Sequence, residues 1–154
     1  MNIKPIIIPP TADLLEPKLT KKFTSLTNLI FEAGKHSLPD ELVNQINSQI
    51  DRIAEFPGTT KEILKMLDEF QKDLLQKLRN DFKLFPKNHH RNLWMSLGMA
   101  SFGLPIGLVI GMAMDNLGLL AIGLPIGMSI GLALGTSIDR KIKNEGRQLD
   151  FDFF

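Results

Sequence analysis

Apolar residues recur at steps of three and four along three stretches of the N-terminal part of the chain, at 12–33, 40–56 and 61–85. This spacing places the apolar side chains on one face of an α-helix and leaves the opposite face polar. The stripe residues are Leu15, Leu19, Phe23, Leu26, Ile30 and Ala33, then Leu42, Ile46, Ile50 and Ile53, and finally Ile63, Leu67, Phe70, Leu74, Leu78, Phe82 and Phe85. Three amphipathic helices are therefore predicted.

Residues that start or stop helices stand between these stretches. They are Gly34 after the first stretch, Ser37 and Pro39 before the second, Pro57-Gly58 after it, and Thr59 or Thr60 before the third. We expect the three helices to form a small helical domain over 12–86, because each buries its stripe only against another helix. Two arrangements are open for the long third stripe: packing within its own bundle, or winding with copies from other chains.

The pattern changes completely between Leu93 and Ile138, where Asp115 is the only ionisable side chain. Two apolar segments, 93–114 and 117–138, have 22 residues each. At 1.5 Å per residue each helix would be about 33 Å long, which matches a hydrocarbon core of about 30 Å. The sequence therefore predicts two transmembrane helices.

Glycines divide both apolar segments at a spacing of four, which places them on one face of each helix. They are Gly103, Gly107 and Gly111 in the first segment and Gly123, Gly127, Gly131 and Gly135 in the second. In lipid such a face lets another helix approach closely, and close packing is a main source of attraction there. In a soluble helix each glycine would cost about 1 kcal/mol relative to alanine. The glycines are therefore predicted to be helix-packing residues.

The polar pair Asp115 and Asn116 is the predicted turn of a hairpin between the two segments. Folding back at this pair brings together residues whose numbers sum to about 230. Gly103 is then expected opposite Gly127, and Gly107 opposite Gly123. The prolines at the middle of each segment also become paired, and they are Pro105 and Pro125. Each removes a backbone donor, so we expect a kink, with a polar cavity between broken helices as the alternative.

Basic residues flank both segments, whereas the turn carries only Asp115. By the positive-inside rule, both termini are expected on the cytoplasmic side of the inner membrane. The predicted interface anchors are Trp94, Arg91, Arg140 and Lys141. The last segment, 139–154, is expected to be a cytoplasmic tail.

Composition excludes several classes of function. The formal net charge is +1, which favours no particular class of partner. Cysteine is absent, so disulfides, thiol catalysis and cysteine-bound metals are excluded. No basic run with interleaved aromatic residues indicates nucleic-acid binding. The sequence shows no catalytic motif, and the adjacent His89 and His90 point to different sides of a helix, so no enzyme activity, metal or cofactor is expected.

The two ends of the chain suggest different contacts. The N-terminal "IKPIIIPP" cannot be helical across its prolines, so we expect an extended arm over 1–11 that docks in a groove, packs on its own bundle or stays disordered. The tail "LDFDFF" alternates acidic and aromatic residues. It could bind a partner or the membrane surface, or remain a frayed end. The only apolar run in "MNIKPIIIPP" is three isoleucines, so no cleavable signal is expected.

The run "GLPIG…GMAMDN…GLPIGMSIGLALGTSIDRK…EGRQLD" resembles the bacterial glycine-zipper family of small membrane proteins. The resemblance covers about 93–150, a third of the chain, and does not extend to the N-terminal part. It implies membrane helices that oligomerise, and it carries no information about activity.

Together these patterns predict an all-α protein: a cytoplasmic amphipathic helical bundle followed by a two-helix transmembrane glycine-zipper hairpin. We expect it to be a membrane-anchored scaffold or small subunit. The lipid bilayer, further copies of the chain and a protein bound by the cytoplasmic helices are the expected partners. The alternative is a pore-forming or membrane-permeabilising effector, which the soluble helical domain holds in check.

Overall fold

The computed structural model describes residues 3–7, 9 and 16–151, and these residues are predominantly helical, in agreement with the predicted all-α class. The helices are α1 (Pro17–Gly34), α2 (Asp40–Ala54), α3 (Thr60–Asn80), α4 (His89–Gly98), α5 (Leu104–Ala113) and α6 (Leu120–Asn144). A π-helical turn (Met99–Gly103) joins α4 to α5, and a 3-10 turn (Leu117–Leu119) precedes α6. The chain divides into two units, 1–84 with 149–154 and 85–148.

The N-terminal unit buries the predicted stripes of α1, α2 and α3 in one core. Every stripe residue within these three helices is at most 8% exposed, while Leu15 lies outside the described residues. Of the two arrangements open for the third stripe, the structure has the first: α3 packs within its own unit, against α1 and α2.

Helix α3 begins as predicted but ends earlier. Thr59 caps it through a capping box: the Thr59 backbone N–H and hydroxyl each donate to the Glu62 carboxylate at 2.8 Å. These two hydrogen bonds lower the pKa of Glu62. The helix ends at Asn80, so the stripe residues Phe82 and Phe85 lie beyond it, and the predicted extension to 85 is wrong.

A tight reversal explains the early end of α3. Asn80 and Asp81 are poor helix formers because their side chains compete for backbone hydrogen bonds. Lys83 then has a left-handed backbone (φ 54°), and the Leu84 N–H donates to the Leu78 carbonyl at 2.9 Å. The leucine at 84 consequently returns to the core, where it is buried.

The described part of the N-terminal arm, residues 3–7 and 9, packs on its own bundle, while the rest of 1–11 lies outside the described residues. Ile3 and Ile6 lie against the core, and Pro9 is fully buried. Lys4 fixes the arm to α2, because its backbone N–H donates to the Asn47 side chain at 2.9 Å and its ammonium pairs with Asp51 at 2.8 Å.

The predicted tail, 139–154, does not behave as one segment. Its first part continues α6 to Asn144. Further on, Leu149 is fully buried and Phe151 is 4% exposed, and both belong to the core of the N-terminal unit. The described part of the "LDFDFF" tail is therefore core sequence, while 152–154 lie outside the described residues.

The second unit is a helical hairpin. Its first arm runs from α4 through the π-turn and α5, and its second arm is α6. The arms are longer than the predicted segments at the ends away from the turn, where α4 begins at His89 and α6 ends at Asn144. Two-residue strands, β1 (Phe85–Pro86) and β2 (Gln148–Leu149), pair beside these ends, and the Phe85 N–H donates to the Arg147 carbonyl at 3.0 Å.

Candidate functional site

The two arms of the hairpin are long and apolar enough to cross a membrane. The candidate spans are His89–Ala113 and Leu117–Asn144. In each, only 17% of the most apolar window is buried within the chain, whereas a core helix of a soluble protein would be mostly buried.

Glycines line the contact between the two arms. A methyl group on Gly127 would lie 2.6 Å from the Cα of Gly103, and one on Gly123 would lie 2.6 Å from the Cα of Gly107. A methyl group on Gly135 would lie 2.6 Å from the Cα of Arg91. These distances are shorter than real Cβ contacts, so the arms touch backbone to backbone.

The other predicted glycines lie in the same contact. A methyl group on Gly131 would lie 3.1 Å from the Cα of Gly98, and one on Gly111, near the turn, would lie 3.3 Å from the carbonyl oxygen of Asn116. All seven predicted packing glycines are buried within the hairpin. Their faces are therefore used within the chain.

Gly98 belongs to the same contact but was missed by the sequence reasoning. A methyl group on it would lie 2.8 Å from the Cα of Gly131. Gly98 precedes Gly103 by five residues and so breaks the four-residue spacing. The π-turn Met99–Gly103 adds one residue to one helical turn, which restores both glycines to the same face. The five-residue gap between Gly98 and Gly103 was the only feature of the sequence that could have indicated this contact.

The outer surface of the hairpin carries the large apolar side chains. Exposed examples are Leu93, Leu97, Phe102, Leu104, Leu108, Val109, Met112, Leu117, Ile122, Ile126, Met128, Ile130 and Leu134. A helix pair in water does the opposite, because it buries such side chains and exposes polar ones. This inverted arrangement fits a surrounding of lipid.

The predicted turn residues form the turn. Asp115 has a left-handed backbone (φ 49°), and the Asn116 N–H donates to the Gly111 carbonyl at 2.9 Å. The Asn116 side chain then caps the 3-10 turn by accepting from the Gly118 N–H at 3.0 Å. The turn therefore satisfies its own backbone groups.

The two prolines are accommodated differently. Pro105 follows the π-turn at the start of α5, where the wider turn relieves the clash of its ring with the preceding backbone. Pro125 lies inside α6 without such a turn. Beside it, the Ser129 hydroxyl donates to the Pro125 carbonyl at 2.8 Å.

Asp139 closes the open end of the hairpin. Its side chain is 10% exposed, and its carboxylate accepts the backbone N–H of His90 at 3.1 Å and of Arg91 at 2.9 Å. The His90 Nδ1 also donates to it at 3.0 Å. These N–H groups belong to the first turn of α4, whose own cap residue, Asn88, offers no side-chain hydrogen bond. Asp139 thus caps α4 from the other arm.

The sequence analysis did not predict this cap. The partners are 48 and 49 residues apart, and no local spacing connects them. The side chains around the cap are aromatic: the His90 ring lies 4.7 Å from the Phe85 ring and 5.1 Å from the His89 ring.

The predicted interface anchors lie near the same end. Arg91, Arg140 and Lys141 are exposed, and Trp94 is half-buried on α4. Among all the residues that the structure describes, no group of three or more histidine or acidic side chains is arranged to hold a metal ion. Comparisons with protein-family models, with curated proteins and with solved structures found no match to this chain.

Proposed function

We propose that the protein is a membrane-anchored scaffold: the hairpin inserts into a bilayer as a two-span anchor, and the N-terminal unit stays in the cytoplasm and binds a partner. The observation that carries the proposal is the inverted hairpin. Its glycines are buried backbone to backbone, while its large apolar side chains face outward. In water such a pair would lose the apolar burial that drives helix packing, whereas in lipid it loses nothing.

The orientation follows from charge. Arg91, Arg140, Lys141 and Lys143 flank the apolar segments 93–114 and 117–138 at the open end, and the turn carries only Asp115. Both ends of the hairpin are therefore proposed to face the cytoplasm, as the positive-inside rule requires for an inner membrane.

The partner-binding part of the proposal rests on the N-terminal unit. A groove of about 1120 Å³ runs between α2 and α3. Its rim carries exposed residues of both charges, such as Glu41, Asp73 and Arg52, above a floor that includes Phe56 and Met66. A mixed polar rim over apolar side chains is typical of surfaces that bind other proteins.

Self-association needs a different surface from the one expected. The glycine faces already pack within the hairpin, so copies joined through them would have to open it first. The proposal therefore places the scaffold in the membrane as a closed hairpin. Because the glycine faces are already in contact within one chain, they give no support to a pore in which copies pack through those faces.

A topology experiment tests the proposal. The chain has no cysteine, so single cysteines report position without background. In intact bacterial cells, Asn116→Cys should react with a membrane-impermeant maleimide, and Ser48→Cys should react only after lysis. Both variants should resist extraction from membranes by alkaline carbonate.

Two results would overturn the proposal. One is recovery of the folded chain in the soluble fraction without detergent. The other is loss of membrane potential on expression that Gly127→Leu abolishes and the outward-facing Ala133→Leu preserves, because that pattern would favour the permeabilising effector.

A further inference from the structure

We propose that the open end of the hairpin binds anionic phospholipid headgroups through a basic collar, defined as Arg91, Arg140, Lys141 and Lys143. This inference rests on the proposed membrane insertion. It goes further because it assigns a lipid class to a particular surface, whereas the positive-inside rule concerns only orientation.

The Asp139 cap brings the four collar residues to the same end of the hairpin. Because Asp139 accepts the Arg91 N–H, the start of α4 is held beside the end of α6. Arg140 and Lys141 follow Asp139 directly, and Lys143 is one helical turn beyond it. Successive residues on a helix are rotated by about 100°, so Arg140 and Lys141 lie about 100° and 200° around α6 from Asp139, while Lys143 lies about 40° from it, beside the contact with α4. All four collar residues are exposed.

The nearby acidic groups do not neutralise the collar. Asp139 is buried and its carboxylate is occupied by two backbone N–H groups and the His90 ring. Glu145 is held by Arg147, whose guanidinium lowers the pKa of that carboxyl. Among the described residues, none of the four collar residues forms an ion pair. Lys141 also acts electrostatically on Glu145, and the other three collar cations keep the surface positively charged where the apolar segments would leave the bilayer.

Anionic headgroups complement such a surface. Basic residues next to a membrane span are each worth about a fivefold gain in partition toward an anionic surface. Arg91 is one helical turn from Trp94, which is the only tryptophan of a chain without tyrosine. Trp94 fluorescence therefore reports which lipids lie beside the collar.

The test uses the full-length chain in phosphatidylcholine vesicles that contain a fixed fraction of lipid brominated near the headgroup end of its acyl chains. We expect brominated phosphatidylglycerol to quench Trp94 more strongly than brominated phosphatidylcholine, with a relative association constant of about 5 or more, the gain expected from one basic residue. In 1 M salt, where the screening length falls to about 3 Å, the ratio should approach about 1.

Substitutions locate the effect. Arg140→Gln with Lys141→Gln should lower the ratio, and adding Arg91→Gln and Lys143→Gln should abolish it. These substitutions change side chains only, so the Arg91 backbone N–H can still donate its hydrogen bond to the Asp139 carboxylate. Lys18→Gln with Lys21→Gln is the matched control, because both lysines are exposed on α1, and it should leave the ratio unchanged.

The outcomes separate this inference from the proposed function. Equal quenching by the two brominated lipids in the unmodified chain would overturn the inference and leave the membrane anchor standing. A ratio that survives loss of all four collar cations would also overturn it. No quenching by either lipid would overturn both, because Trp94 would then lie outside the bilayer.

Discussion

Asp139 and His90 lie on opposite arms of the hairpin and meet in two hydrogen bonds, since the Asp139 carboxylate accepts both the backbone N–H and the ring Nδ1–H of His90. The contact joins the last turns of α6 to the first turn of α4. It satisfies orphan donors at a helix start where the cap residue provides no side chain of its own. The two arms of the hairpin are therefore held together by two different interactions: hydrogen bonds to the Asp139 carboxylate and close packing of the glycines.

Replacing Asp139 should destabilise the hairpin. Asp139→Ala leaves two backbone N–H groups and the His90 ring without their acceptor, and we expect a loss of about 1–3 kcal/mol in the free energy of unfolding. Asp139→Asn keeps one acceptor oxygen and should lose less. Titration of the purified chain from mild detergent into dodecyl sulfate, followed by Trp94 fluorescence, measures the effect. Arg140→Ala, at the exposed neighbouring residue, is the control, and equal losses in the two alanine variants would contradict the capping role.

Adding a methyl group to the glycine contact should also be unfavourable. In an ordinary helix, glycine to alanine gains up to about 1 kcal/mol. Gly127→Ala instead forces the arms apart at Gly103, so we expect a net loss of about 1–3 kcal/mol by the same Trp94 titration. Gly111→Ala, with its nearest neighbour at 3.3 Å, should lose less. Ala133→Leu faces outward and should change little. A stabilised Gly127→Ala variant would show that the arms do not touch there.

Local patterns predicted much of this fold because their physical causes are local. The stripes of α1, α2 and α3 follow from helix periodicity, and the hairpin turn follows from the only polar pair between two apolar segments. The capping of α3 by Thr59 depends on residues three positions apart. In each case one stretch of sequence contains the whole interaction.

The features that sequence did not predict depend on distant partners. Asp139 has no recognisable role until α4 lies beside it. The burial of Leu149 and Phe151 requires the chain to return to the first unit after the hairpin. Gly98 fits the glycine face only through a π-turn, and the sequence shows that turn as no more than a five-residue gap. Three-dimensional contact, rather than periodicity, selects these residues.

Acid should weaken the contact between α1 and α3 through Asp68. Its carboxylate accepts a hydrogen bond from Lys22 on α1 at 2.5 Å and lies 2.6 Å from the Lys72 ammonium. Both lysines lower the pKa of Asp68, and the hydrogen bond from Lys22 has the larger effect. Because the folded pKa is lowered, the stabilisation is fully present above the ordinary value of 3.8 and is lost as the pH falls through the lower, folded value.

Asp68→Asn tests this dependence. At neutral pH the variant should show lower amide protection in α1 and α3 than the unmodified chain, after correction for intrinsic exchange rates. The difference should disappear as the pH falls below the folded pKa of Asp68. A difference that stays constant across this range would assign the loss to packing rather than to the charge.

Removing the aromatic ring of Phe151 should destabilise the N-terminal unit, even though the ring follows the hairpin in sequence. Phe151 is 4% exposed within the core, and truncation of a buried phenylalanine costs about 3–5 kcal/mol. Phe151→Ala should therefore lower amide protection in α1 and α3 of the full-length chain in detergent, while the Trp94 titration of the hairpin stays unchanged. Phe31→Ala is the matched control, because Phe31 is 66% exposed and its removal creates no cavity. If both variants lowered protection equally, or if neither did, Phe151 would not be part of the core that stabilises this unit.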